Sequence, residues 1–374
     1  MRNRYRENET LRCSLVVVLL CVSVLGAVWP VSCRLTENGI TLVTTDTTAP
    51  KVLDFAATSA DTLRMTCSEA VTLEQARVVL FSANADSDTA ADDATDDDAV
   101  PVAHITYAES GTVVHVALSE PSVLGERYLF CCTVRDESGN TLEYSRQFVG
   151  YNDHPAQLVL SELRFTHSAA TAAKRKAEFI ELYVLGGGNT AGLVLYGGYY
   201  GGKMQYAFPA MEVQAGEYIT VHTRTYYDAS QDETGDNLAL PQPSPDASST
   251  GRDLWLRGDN SFITKTDVVV VLNTIDDSLQ DALLVRENDT KTAWTRTLQK
   301  DLAARAYAEG VWSAGCTPSE AVTGTALLSR TLARQNIAQL AEAYAASTVV
   351  PLPAAPSDWR VVTTATPGAA NSSD

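Results

Sequence analysis

Hydrophobic and polar positions alternate in short runs along most of the chain. Leu63, Met65 and Cys67 alternate with Arg64 and Thr66, the period-two pattern of a half-buried strand. The same reading predicts strands at 51–56, 112–118 and 128–134, with turn residues between them. A second series follows at 158–165, 178–185, 192–196, 205–208, 217–222, 266–273 and 281–285. Ile180, Leu182 and Val184 share one face of their strand; Phe179, Glu181 and Tyr183 share the other. Two stretches carry helical spacing instead. One is 294–310, with Leu298, Leu302 and Ala306; the other is 333–346, with a stripe of Ile337, Leu340, Ala341 and Tyr344. Both are expected to pack on the sandwich edge, with partner docking as the sharper alternative. The chain is therefore expected to be all-β, two tandem β-sandwiches with short helical insertions in the second.

The N-terminus has a different pattern. Arg2, Arg4, Arg6 and Arg12 precede an uncharged apolar run of 15 residues, 14–28. That is the core length of a signal peptide and short of the roughly 20 residues of a spanning helix. Pro30-Val31-Ser32-Cys33 follows and resembles a bacterial lipoprotein lipobox of the looser spirochaete type, with Pro30 where Leu is usual. The resemblance implies lipidation at Cys33 and anchoring through acyl chains. Ordinary cleavage and plain secretion is the alternative, and an uncleaved anchor is a third. Residues 1–33 are thus assigned to the signal segment and the polar, Thr-rich 34–48 to a tether.

In the first sandwich, 49–152, Ser68, Glu69 and Val71 lie early, and Tyr128, Val134, Asp136, Gly139 and Asn140 lie late. This set resembles the bacterial Ig-like domains, with Cys67 where Phe is usual. The resemblance implies a spacer or binding module on a surface protein. It also implies that Cys67 meets Cys132 across the sandwich as a disulfide; Cys67 with Cys131 is the alternative, as are buried free thiols. Cys316 has no evident partner. Asp136 to Asn140 is expected to be a turn, with calcium binding as the rival. The run 86–98 holds seven Asp and is expected to be a solvated insertion.

In the second sandwich, 157–371, Ser161, Glu162, the run Glu178-Phe179-Ile180-Glu181-Leu182-Tyr183, Gly192, Leu195, Phe208-Pro209, Gly216-Glu217-Tyr218, Asp267 and Asp281 recur in order. Asp358-Trp359 and Thr366-Pro367-Gly368-Ala369-Ala370-Asn371 close the series, and Ser329-Arg330 matches loosely. The set resembles the lamin tail domain, with Leu193 where Trp is usual and Ala215 where Pro is usual. That family implies an Ig-like fold and a binding role, and carries no catalytic residue. Insertions fall near 224–257 and 286–324. Glu181, on an otherwise packed face, is expected to accept backbone amides, because a buried carboxylate without partners is costly.

Charge and chemistry narrow the function. With 28 basic and 46 acidic residues, net −18, the chain disfavours nucleic acid. Gly197 to Lys203 imitates a phosphate loop, but Met204 stands where a Mg²⁺-binding hydroxyl is needed. Glu178 and Glu181 fall on opposite strand faces and cannot flank one glycosidic bond. No catalytic residue, cofactor or metal ligand is assigned. The expected role is an exported, lipid-anchored envelope protein that binds a protein or glycan, or serves as a structural module. An exported hydrolase is the alternative. The contact surface is expected at Tyr196, Tyr199, Tyr200 and Tyr206, with simple cover of a Gly-rich hairpin as the other reading.

Overall fold

The computed structural model describes residues 31–36, 39–44, 46–80, 99–169, 171–347 and 353–374; for 31–36 and 39–44 only the backbone pairing is described. The predicted apolar core of the signal segment and the Asp-rich run 86–98 lie outside the described residues. Cys33 falls on β1 (Val31–Thr36), which pairs antiparallel with β2 (Gly39–Thr44). Nine of the fifteen residues 34–48, expected as a tether, lie in these two strands. Among the described residues no helix is long and apolar enough to cross a membrane.

The first sandwich opposes two four-stranded sheets. One runs β3 (Val52–Ser59), β4 (Thr62–Cys67), β8 (Val113–Leu118), β7 (Val102–Ala108). The other runs β10 (Thr141–Val149), β9 (Arg127–Asp136), β5 (Val71–Leu80), β6 (Ala99–Val100). Alternation along β4 buries Leu63, Met65 and Cys67, and β9 sends Tyr128, Phe130, Cys132 and Val134 into the same core. Cys67 and Cys132 share that core, but both are free thiols, as is Cys131. The expected disulfide is therefore corrected. Burial pushes the Cys132 thiol up to about 12 and raises Cys67, so both pack protonated, as small hydrophobes.

The second sandwich opposes a six-stranded and a five-stranded sheet. The larger runs β18 (Arg252–Trp255), β17 (Tyr218–His222), β12 (Phe179–Gly186), β11 (Gln157–Arg164), β22 (Thr331–Arg334), β23 (Trp359–Val362). The smaller runs β15 (Gln205–Ala207), β14 (Leu193–Gly197), β19 (Asp267–Asn273), β20 (Ser278–Arg286), β21 (Val322–Thr323). Their facing sides, including Leu160, Leu163, Ile180, Leu182, Val269 and Leu283, form one core. Helix α1 (Thr297–Ala308) buries Leu302, Ala303 and Ala306 against it, while Leu298 stays partly exposed. Helix α2 (Ile337–Ser347) lays Ile337, Leu340, Ala341 and Tyr344 on the other side of the larger sheet, over Val159, Tyr183 and Leu185. Both helices thus pack on the sandwich, but on the faces of central strands instead of at the expected edge. The insertion 224–257 ends in β18, which joins β17 in parallel. The loosely matched Ser329-Arg330 precedes β22, and the buried arginine of that strand is Arg334.

Candidate functional site

Both faces of β11 are buried, which places acids under cover. A bulge between Leu160 and Glu162 brings Glu162 opposite Glu181, on the side away from the apolar core. Both carboxylates have no solvent exposure. The C-terminal strap 366–371 seals them. The Gly368 N–H donates to Glu181 Oε2 at 2.6 Å and the Ser161 hydroxyl to Oε1 at 2.9 Å. The Thr366 N–H donates to Glu162 Oε2 at 2.9 Å, and the Thr331 hydroxyl to Oε1. Asn371 Nδ2 donates to the carbonyls of Ser161 (3.1 Å) and Arg334 (2.8 Å). Gly368 has φ +76°, and a Cβ there would lie 2.0 Å from Ser248 Oγ, so only glycine makes this turn. Desolvation raises the pKa of Glu162, and that of Glu181 well above its ordinary value, with the neighbouring Glu162 charge adding to the latter. The expected amide bond to Glu181 is present; its partner was not legible in the sequence.

Other buried charges hold structure in the same way. Arg334 Nη1 donates to Asp281 Oδ2 at 2.9 Å, both fully buried, and that oxygen also accepts the Leu160 N–H at 2.7 Å. His222 and Asp253 are hydrogen-bonded at 2.7 Å with no exposure, the imidazole stacked on Trp255 at 3.9 Å. Arg164 pairs with Asp246 at 2.6 Å. All of these groups are buried. In the first sandwich Asp136 accepts Asn140 N (2.8 Å) and Nδ2 (2.7 Å), closing the expected turn. Asp46, Glu69 and Asp136 each bring a carboxylate oxygen within 4.8 Å of the others.

The four tyrosines of the expected contact surface separate. Tyr206 is buried beside Phe208, its ring edge-on at 5.3 Å, and Tyr196 packs half-buried against the core. Burial raises both phenols. Alternation turns Tyr206 inward, opposite Leu195, whereas Tyr196 lies on the other face and is only partly covered. Tyr199 and Tyr200 pack edge to face at 4.9 Å and line an open groove of about 570 Å³. Phe165, His167, Glu178, Ile263, Lys265 and Lys291 line it with them.

The turn that presents this pair is pinned from beneath. Buried Asp267 accepts the N–H groups of Tyr199, Thr264 and Val268, each at 2.9 Å. Desolvation raises its pKa against these bonds. A Cβ on Gly198 would lie 2.9 Å from Gln299 Cα, so this glycine lets α1 close on the turn. Arg296 stacks its guanidinium 4.6 Å above the Tyr199 ring and donates to its hydroxyl at 3.3 Å. The phosphate-loop imitation is thereby explained, because a carboxylate holds an amide that a phosphate would need. Glu178 accepts Arg224 Nε at 2.9 Å and lies 3.4 Å from His167 Nδ1.

Comparison with known proteins adds a family. Among solved structures, the N-terminal part of the bacterial S-layer protein SbsC aligns at 16% identity and a TM-score of 0.24, over 37% of this chain and 41% of that one. A DUF4876 family protein from Bacteroides thetaiotaomicron aligns at 11% identity and a TM-score of 0.29, over 72% of this chain and 84% of that one. Likenesses of that size carry no argument about role. An uncharacterized protein of Treponema pallidum (strain Nichols) is 27% identical over 202 residues, 52% of this chain and 49% of the relative. The chain thus spans about half the length of this curated relative. The lamin-tail resemblance rests on the residues quoted for it. Residues 156–361, more than half of the chain, match the family described as "TP_1001_2nd: protein second domain", and the chain belongs to that family.

Proposed function

We propose that this is an exported, lipid-anchored envelope protein whose second sandwich binds a partner through the Tyr199–Tyr200 groove without chemical turnover. One observation carries the reading. The buried acids of this sandwich hold the fold, while the paired tyrosines stand on a pinned turn over an open groove. Tyrosine supplies apolar area and a hydrogen bond at low entropy cost, the property that makes it a frequent anchor of interfaces. The partner is a protein or glycan of the envelope. The lamin-tail resemblance supports a binding role, and the Ig-like resemblance supports a spacer role for the first sandwich. Lipid anchoring rests on the Arg-rich start, the apolar run and Cys33.

Two experiments test it. Capture of envelope components by the mature chain is expected to weaken at least about tenfold when Tyr199 and Tyr200 are both replaced by Ala, with the melting temperature preserved. Unchanged capture by that folded variant sinks the binding surface. Metabolic labelling with a fatty-acid analogue is expected to mark the full chain and to be lost in Cys33→Ala. Equal labelling of both, or none of either, rejects lipidation at this cysteine.

A further inference from the structure

We propose that the Tyr199–Tyr200 groove takes a saccharide bearing a carboxylate. This rests on the reading of the groove as the binding surface and adds the ligand class. Its volume of about 570 Å³ lies within the roughly 300–1,000 Å³ of small-ligand sites. A short sugar fits a recess of this size better than the flat face of a protein does. The apolar C–H face of a sugar ring suits the tyrosine rings, over a floor of buried Phe165 and Ile263. Thr166, which also lines the groove, has a buried hydroxyl with no hydrogen-bond partner. Such an orphan group gains a partner when a ligand hydroxyl arrives.

Charge decides the sugar's class. Glu178 is paired with Arg224 at 2.9 Å, and Lys265 with Glu287 at 3.8 Å. These pairs cancel. Lys291 on the wall and Arg296 against Tyr199 have no carboxylate partner among the described residues. One uncancelled lysine in the groove and the Arg296 guanidinium beside it, against Tyr199, on a chain of net −18, make a local positive site on an anionic protein. Electrostatic complementarity then favours an acidic ligand.

The test titrates the mature chain with a short oligogalacturonide and with its carboxyl-reduced, neutral counterpart, at low salt. The acidic sugar is expected to bind about tenfold tighter or better, and salt to weaken it. Lys291→Glu is expected to remove that advantage and Tyr199→Ala to weaken both sugars, each with an unchanged melting temperature. Equal binding of the two sugars, no binding of either, or an unaffected Lys291→Glu overturns the proposal. A poly-glutamate peptide that binds as tightly as the oligogalacturonide also overturns it, because the groove then reads charge alone. Loss of envelope capture in the tyrosine variant without any sugar binding refutes this ligand class while leaving the binding surface standing. Retained capture refutes both.

Discussion

Replacing Glu181 by Ala is expected to lower the stability of the second sandwich by about 3–5 kcal/mol. The substitution strips the acceptor from the Gly368 N–H and the Ser161 hydroxyl. Each unsatisfied buried donor costs about 1–3 kcal/mol, and the lost volume adds to that. Glu181→Gln keeps an acceptor oxygen and carries no charge, so its cost stays below about 2 kcal/mol. The two variants also separate by pH. Burial raises the folded pKa of Glu181 and Glu162 above the ordinary glutamate value, so folding favours their protonated forms. Their contribution is full below the unfolded pKa and is lost as pH rises through the raised folded values. Wild type is therefore expected to lose stability over that rise, and Glu181→Gln to lose less. Beyond residue 33, tryptophan occurs only at 255, 294, 312 and 359, so the fluorescence of residues 33–374 in urea follows the second sandwich alone. A wild-type decline with pH that Glu181→Gln fails to reduce contradicts the account.

Arg334→Met is expected to cost about 3–5 kcal/mol, because it leaves Asp281 buried without its partner. Adding Asp281→Asn is expected to restore much of that loss. The amide oxygen still accepts the Leu160 N–H, now 2.7 Å from Asp281 Oδ2, and no buried charge remains. The urea midpoint reads both steps, provided the slope is unchanged. Additive costs in the double variant mean that the pair does not act as a unit.

Strands that alternate cleanly were legible. Leu63, Met65 and Cys67 on β4 and Ile180, Leu182 and Val184 on β12 face the cores they were expected to face. The edge strand β18 was not, because Arg252 and Asp253 make half of it polar and its pairing with β17 is parallel. Glu181 was placed correctly from its packed neighbours. Glu162 was missed as its companion because a bulge, which no local pattern announces, shifts the register of β11. Among the tyrosines, one signal was available. Tyr206 shares the parity of Phe208, which marks it for the interior, whereas Tyr199 and Tyr200 sit on a turn where parity has no meaning. Cys67 and Cys132 were rightly sent inward, yet facing a common core does not require a bond.

Hydrogen exchange of residues 33–374, with and without solubilised envelope, tests the central claim most directly. Protection is predicted at 197–201, 261–266 and 287–295, the segments around the groove, with the strap 366–371 equally protected in both states. Protection confined to the first sandwich, or a strap that gains protection while the groove gains none, contradicts the account.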